Sequence, residues 1–154
     1  MAKGEQVRVI GFGDGPKIEP LIKAEVWRLT EDFVCHVYGP RGRLTITVPK
    51  GFLTDGASIP RFLWRFCGHP MMTRRIRIAV VHDFIYAERG KVSVRIVREG
   101  RNELSPPQPQ TLTRQEADAL YRDGLICLGF KGWKATLEYW MIRIFGGSHW
   151  ESCE

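Results

Sequence analysis

No Cys-x-x-Cys pair occurs in this chain. Its four cysteines, Cys35, Cys67, Cys127 and Cys153, are scattered, so neither a zinc knuckle nor a disulfide framework is indicated and buried thiols in a reducing compartment are expected. No uninterrupted apolar run approaches the ~20 residues that a membrane-spanning helix needs. The opening "MAKGEQVRV" lacks the apolar core of a signal peptide. A cytoplasmic protein without a transmembrane segment is expected. There is no internal repeat and no nucleic-acid recognition motif, so no specific nucleic-acid partner is assigned. Acidic residues are scarce in one region. Between Arg61 and Arg101 ten Lys/Arg face three Asp/Glu, a local charge of +7, while the other 13 bases and 14 acids nearly cancel. Such a stretch is either a solvated face of snorkelling arginines or a surface for an anionic partner such as a lipid interface.

What is present suits one folded unit. With 154 residues, 44% hydrophobic and 26% charged, the chain can bury a real core as a single domain over 1–154. Residues 1–53 read as β-rich. "VRVIGF" is a candidate edge strand, and "IKAEVWRLTEDFVCHVY" and "GRLTITVPKGF" alternate loosely around the turn "GPRG". Residues 54–154 read as helical, with an excursion at 91–110. Asp55-Gly56 makes a turn before Ser58, which caps a short helix whose first turn holds Ile59 and Pro60. A longer helix is predicted from about Met71 to Glu88, stopped by Gly90. "KVSVRIVREGRNELSPPQPQ" then reads as a small β-wing projecting between helices. Thr113 and Glu116 form a T-x-x-E capping box that opens the next helix. In the last helix Trp133, Leu137, Trp140, Met141 and Ile144 form one apolar stripe, its tryptophans read as core or interface aromatics, and Gly146 ends it. The fold class is α+β, a β-rich part packed on three helices.

One stretch stands out. In "IAVVHDFIYA", residues 78–87, every residue is apolar or aromatic except His82 and Asp83. Burying an unpaired polar group costs roughly 1–3 kcal/mol, so the pair is either satisfied by partners or kept for chemistry. Helical spacing puts Ala79, His82 and Tyr86 on one stripe, with Asp83 about 100° further round. Asp118 lies five residues into the next predicted helix, with Tyr121 one turn beyond and Arg114 one turn before. If those helices pack antiparallel, Asp118 meets His82. A carboxylate-held imidazole has a fixed tautomer and one nitrogen free to take a proton from water. The other reading is a hydrogen-bonded packing pair, with Asp118 matched to Arg114.

"VPKGFLTDGASIPRFLW", "HDFIY" and "RQEADALY" together resemble a family of phage and prophage proteins classed as a domain of unknown function, over roughly residues 45–145. The helix motifs "HDFIY" and "ADALY" are also similar to phospholipase A2 of the bacterial type. That resemblance implies a three-helix core with a β-wing between the first two long helices. It further implies His82 as the base that activates water, Asp118 as its orienting partner, Asp83 as a calcium ligand and Tyr86 as a hydrogen-bonding support. Asp55, Ser58, Arg114 and Tyr121 are the remaining candidates for support or binding. Val80, Val81 and Ile85 stand around the motif where the secreted enzymes carry cysteines, and the glycine-rich calcium loop is missing unless "TDGAS" replaces it in a different geometry. Three functions follow. One is a hydrolase acting on a lipid ester. Another is a non-catalytic tail or particle accessory protein, made in the host cytoplasm, whose partners are phage structural proteins. The third is a metal phosphohydrolase that uses the HD dipeptide with His69 and Asp118, which the β-rich start disfavours.

Overall fold

In a computed structural model the structure describes residues 8–21, 26–39, 42–54, 74–98, 100, 103–147 and 150. The β-rich start is present as predicted. The strands are β1 (Arg8–Phe12), β2 (Ile18–Pro20), β3 (Trp27–Leu29), β4 (Phe33–Gly39), β5 (Gly42–Val48) and β6 (Leu53–Thr54). Helix α1 (Ile76–Ala87) follows, then β7 (Lys91–Arg98), β8 (Glu103–Leu104) and β9 (Gln108–Thr111), and finally α2 (Arg114–Cys127) and α3 (Gly132–Phe145). The class is α+β. The Asp55-Gly56 turn, the Ser58 cap and His69 lie outside the described residues.

Among the described residues, six strands form an antiparallel sheet in the order β1-β4-β5-β7, with β8 and β9 both pairing with β7. A second sheet of β2, β3 and β6 lies beside it in sequence. β1 is the edge strand that "VRVIGF" suggested. The 91–110 excursion differs from expectation. β7 is not a projecting wing; it pairs with β5 through Leu44 opposite Ile96 and Ile46 opposite Val94. The reason is its alternation, since Val92 and Val94 are buried while Lys91, Ser93 and Arg95 are exposed. That pattern needs a covered face, and the central sheet supplies one.

Phe33, Cys35 and Val37 of β4 and Leu44, Ile46 and Val48 of β5 are buried with Ile78, Val81 and Ile85 of α1 and Leu120 and Leu125 of α2 in one core. Burial raises the Cys35 thiol to about 12, so it is an inert apolar side chain at neutral pH. Gly90 stops α1 as predicted, with φ at +77°. A Cβ there would stand 1.8 Å from the Leu112 carbonyl oxygen, so the turn admits no side chain.

The helices pack antiparallel in chain order. Tyr86 faces Arg114, His82 faces Asp118, and the Ile78 side chain lies against Gly124. Gly124 is where α1 and α2 come closest, because a Cβ on it would sit 2.3 Å from Ile78 Cγ1. Gly124→Val is therefore expected to cost about 1–3 kcal/mol by overpacking. The loss should appear as a lower urea midpoint at unchanged slope. Ile78→Ala in the same chain should return part of it, because it empties the space the new side chain needs.

Candidate functional site

The α1/α2 register brings together the two residues that spacing singled out. His82 Nε2 lies 2.9 Å from Asp118 Oδ1. Both side chains are inside the protein, His82 at 2% exposure and Asp118 at 0%. Asp118 is positioned by its own helix start. The predicted capping box is complete, with Thr113 accepting from the Glu116 amide and Glu116 accepting from the Thr113 amide. It fixes the first turn of α2, and Asp118 projects one turn further on.

Asp118 is surrounded by donors. Tyr86 donates its hydroxyl to Oδ1 at 2.5 Å, and Arg143 of α3 donates Nη1 to Oδ2 at 2.9 Å. Arg114 keeps its Nε 3.9 Å from Oδ2, so the ion pair expected along α2 is the looser one. Arg114 is spent mainly elsewhere. It donates Nε to the Tyr86 hydroxyl at 3.2 Å and Nη2 to the carbonyls of Ile142 and Arg143 at 3.1 and 2.7 Å. A guanidinium at those carbonyls also complements the negative end of the α3 dipole. Burial pushes the Asp118 carboxyl up, but the hydrogen bonds from His82, Tyr86 and Arg143 outweigh it and leave the group below its ordinary value of 3.8. Burial, then the bond to Asp118, pushes the Tyr86 hydroxyl up, so Tyr86 stays protonated and acts as a donor.

An ionised Asp118 can only accept. The shared proton therefore sits on His82 Nε2, and in the neutral imidazole Nδ1 is the nitrogen that carries the lone pair. Among the described residues Nδ1 has no hydrogen-bond partner. The imidazole is held further by Tyr86, whose ring centroid is 4.2 Å away, and by the edge of Tyr121 at 5.1 Å. Trp150 packs edge-on against Tyr86 at 5.1 Å.

Asp83 points elsewhere, as its helical angle required. It accepts from Thr54 Oγ1 at 2.6 Å, which ties the first residue of "TDGASIP" to the second residue of "HDFIY". Among the described residues no three His, Cys, Asp or Glu side chains come together in a way that could hold a metal. Asp55 and Ser58 lie outside the described residues. Tyr121 touches the His82 ring, but its hydroxyl serves a second buried group, donating to Glu138 Oε2 at 3.0 Å. Glu138 in turn accepts two bonds from Arg75, at 2.6 and 3.0 Å.

Sequence reasoning missed Thr54, Arg143, Arg75, Glu138 and Trp150. Thr54 carried a signal, because it opens a motif already singled out. Arg143 and Glu138 were hidden because the apolar stripe alone did not show which face of α3 turns inward. Four of the five residues of the apolar stripe face outward, with Trp133 63%, Leu137 45%, Trp140 57% and Ile144 70% exposed, while Met141 is buried. Ala135, Glu138, Met141 and Ile142 are the buried residues of that helix. The inward face was chosen by a buried ion pair as well as by apolar surface.

One consequence of the donor shell is a pH dependence of stability. Because the folded carboxyl of Asp118 lies below its ordinary value, its contribution is full above 3.8 and disappears as pH falls through the folded value. Urea midpoints measured between about pH 5 and pH 2 should fall with acid. Asp118→Asn should lack that part of the slope and be less stable at pH 5, where it loses charge-assisted bonds.

No helix among the described residues is long and apolar enough to cross a membrane. No curated protein and no solved structure matches the chain. A family model does, and its span runs from β3 to near the end of α3, taking in Thr54, Arg75, His82, Asp83, Tyr86, Asp118 and Glu138. Through that match, over residues 27–142, the chain belongs to the family described as Protein of unknown function (DUF1353).

Proposed function

We propose that the chain is a hydrolase in which His82 is the general base, acting on a carboxylic ester of an amphipathic substrate such as a lipid. The observation that carries this reading is the His82 Nε2 to Asp118 Oδ1 contact of 2.9 Å, with Nδ1 left without a described partner. In the proposed step Nδ1 takes a proton from water, the hydroxide adds to the ester carbonyl, and the imidazolium returns the proton to the leaving alkoxide. Asp118 holds the tautomer throughout and stabilises the imidazolium. Arg143 and Tyr86 keep that carboxylate ionised and aimed. A positioned base of this type contributes about 10²–10⁴ in rate. His82 is only 2% exposed, so the proposed step needs water and substrate to gain access to Nδ1. The resemblance to phospholipase A2 supports the same dyad, its calcium and a three-helix core of that kind. No step above is routed through a metal.

The second reading is a non-catalytic phage part that kept the helical scaffold, at work in the host cytoplasm or within the particle. The burial of both His82 and Asp118 favours it. The test is release of fatty acid from mixed phospholipid vesicles and from soluble short-chain esters, with calcium and with chelator. Release by the intact chain supports the hydrolase. No release from any ester under either condition, with the chain recovered as a stoichiometric component of purified particles, replaces it with the second reading.

A further inference from the structure

We propose that the outward face of α3 docks the protein on an anionic lipid bilayer. Trp133, Leu137, Trp140 and Ile144 recur every three or four residues, so they fall within a narrow arc of the helix. They are 63%, 45%, 57% and 70% exposed, and Phe145 at the end of the helix is 47% exposed. A continuous apolar stripe left in water marks a surface that meets something. The opposite side of the same helix is buried through Ala135, Glu138 and Ile142, so the stripe is not a core face waiting to close on its own sheet.

The charges around the stripe choose the occupant. The one carboxylate on α3, Glu138, is buried against Arg75. Arg143 is turned inward to Asp118. On α3 itself and at its start, what remains beside the stripe is cationic. Lys131 is exposed at the start of the helix, and Lys134 lies with its ammonium 6.0 Å from the Trp133 ring. A second copy packed on this face would bring like charges together with no exposed acid on either helix to match them. A bilayer with anionic headgroups complements both features. Tryptophans sit at the headgroup level, aliphatics enter the acyl boundary, and lysines meet phosphates. α3 is 14 residues long, about 21 Å, which suits lying in the interface and not crossing it.

This surface would hold the protein on the lipid interface that a lipid-ester hydrolase needs. It rests on that reading only for its purpose, because binding is measured without turnover. The experiment is flotation of the full chain with vesicles of phosphatidylcholine alone or with phosphatidylglycerol added. The expected result is flotation with the anionic vesicles, weaker with the neutral ones and reduced by salt. Trp133→Ala with Trp140→Ala should weaken it at least about tenfold, and Lys131→Glu with Lys134→Glu should abolish the preference for phosphatidylglycerol. Because these side chains are exposed, circular dichroism should report an unchanged fold. His82→Ala should float as the parent does, whatever its activity. Failure of the parent chain to float overturns the proposal. So does flotation indifferent to the tryptophan pair, or a concentration-dependent dimer that those substitutions dissolve, which would make the face a contact between copies.

Discussion

His82→Ala is expected to lower ester turnover by about 10²–10⁴, and Asp118→Asn is expected to come close to it. The second substitution is the more informative one. Asparagine keeps the size of Asp118, but its one amide oxygen can accept either from Arg143 at the Oδ2 position or from Tyr86 at the Oδ1 position, not from both. Its amide nitrogen, however, donates where the carboxylate accepted. If that nitrogen faces Nε2, His82 must carry its proton on Nδ1, the atom that the mechanism needs empty. Activity then falls because the tautomer is wrong, while the imidazole and its packing against Tyr86 and Tyr121 remain. A structural role predicts a different pattern. Both substitutions would lower stability by the roughly 1–3 kcal/mol of a lost buried hydrogen bond, and neither would change a turnover that the parent chain does not have. Measuring kcat and urea midpoint on the same preparations separates the two. Loss of kcat well beyond the fraction unfolded supports the base, and loss of stability alone removes it.

The dyad was legible because three signals coincided. The HD pair interrupted an apolar helix, a capping box fixed where the next helix begins, and Gly90 ended the first. Helical spacing then placed His82 and Asp118 at matching heights, provided the two helices ran antiparallel. Gly124, pressed against Ile78, sets how closely they approach. The strands of the first third were readable for a similar reason, since β4 and β5 alternate over one buried face.

Two things were not legible, each for a physical reason. β7 looked like a detached wing because a strand's own alternation says that it has a buried face, not which sheet supplies it. Its partner β5 is far away in sequence, and no local pattern encodes that pairing. The inward face of α3 stayed open between core and interface, because the rule that apolar surface goes inside does not settle it alone. Most large apolar side chains obey that rule, but a fully paired charge can also be buried, and the informative cases are the exceptions. "GWKATLEYWMIRIF" offers two opposite faces, one with two tryptophans and one with a glutamate. Only knowledge of Arg75, many residues earlier, decides between them.

That choice leads to the largest stability effect expected in the molecule. Glu138→Leu should cost about 3–5 kcal/mol, the usual penalty for removing one partner of a buried ion pair. Arg75 and Glu138 have side chains 0% and 1% exposed and meet through two bonds, Nη2 to Oε1 at 2.6 Å and Nε to Oε2 at 3.0 Å. Leucine would leave the guanidinium at the start of α1 without its carboxylate, close to the Phe130 ring 5.0 Å away. The Tyr121 hydroxyl, whose acidity burial suppresses first and the Glu138 charge further, would lose its acceptor as well. Repair therefore has to follow the network. Adding Arg75→Met should restore most of the loss, because two apolar groups of similar volume replace two desolvated charges. Adding Tyr121→Phe should restore a further part, about the 1–3 kcal/mol of one buried unsatisfied hydroxyl. Urea midpoints of the single, double and triple variants test the order directly. If the single variant is no weaker than the double, the pair does not hold α1 to α3, and the outward direction of the tryptophan stripe needs another cause.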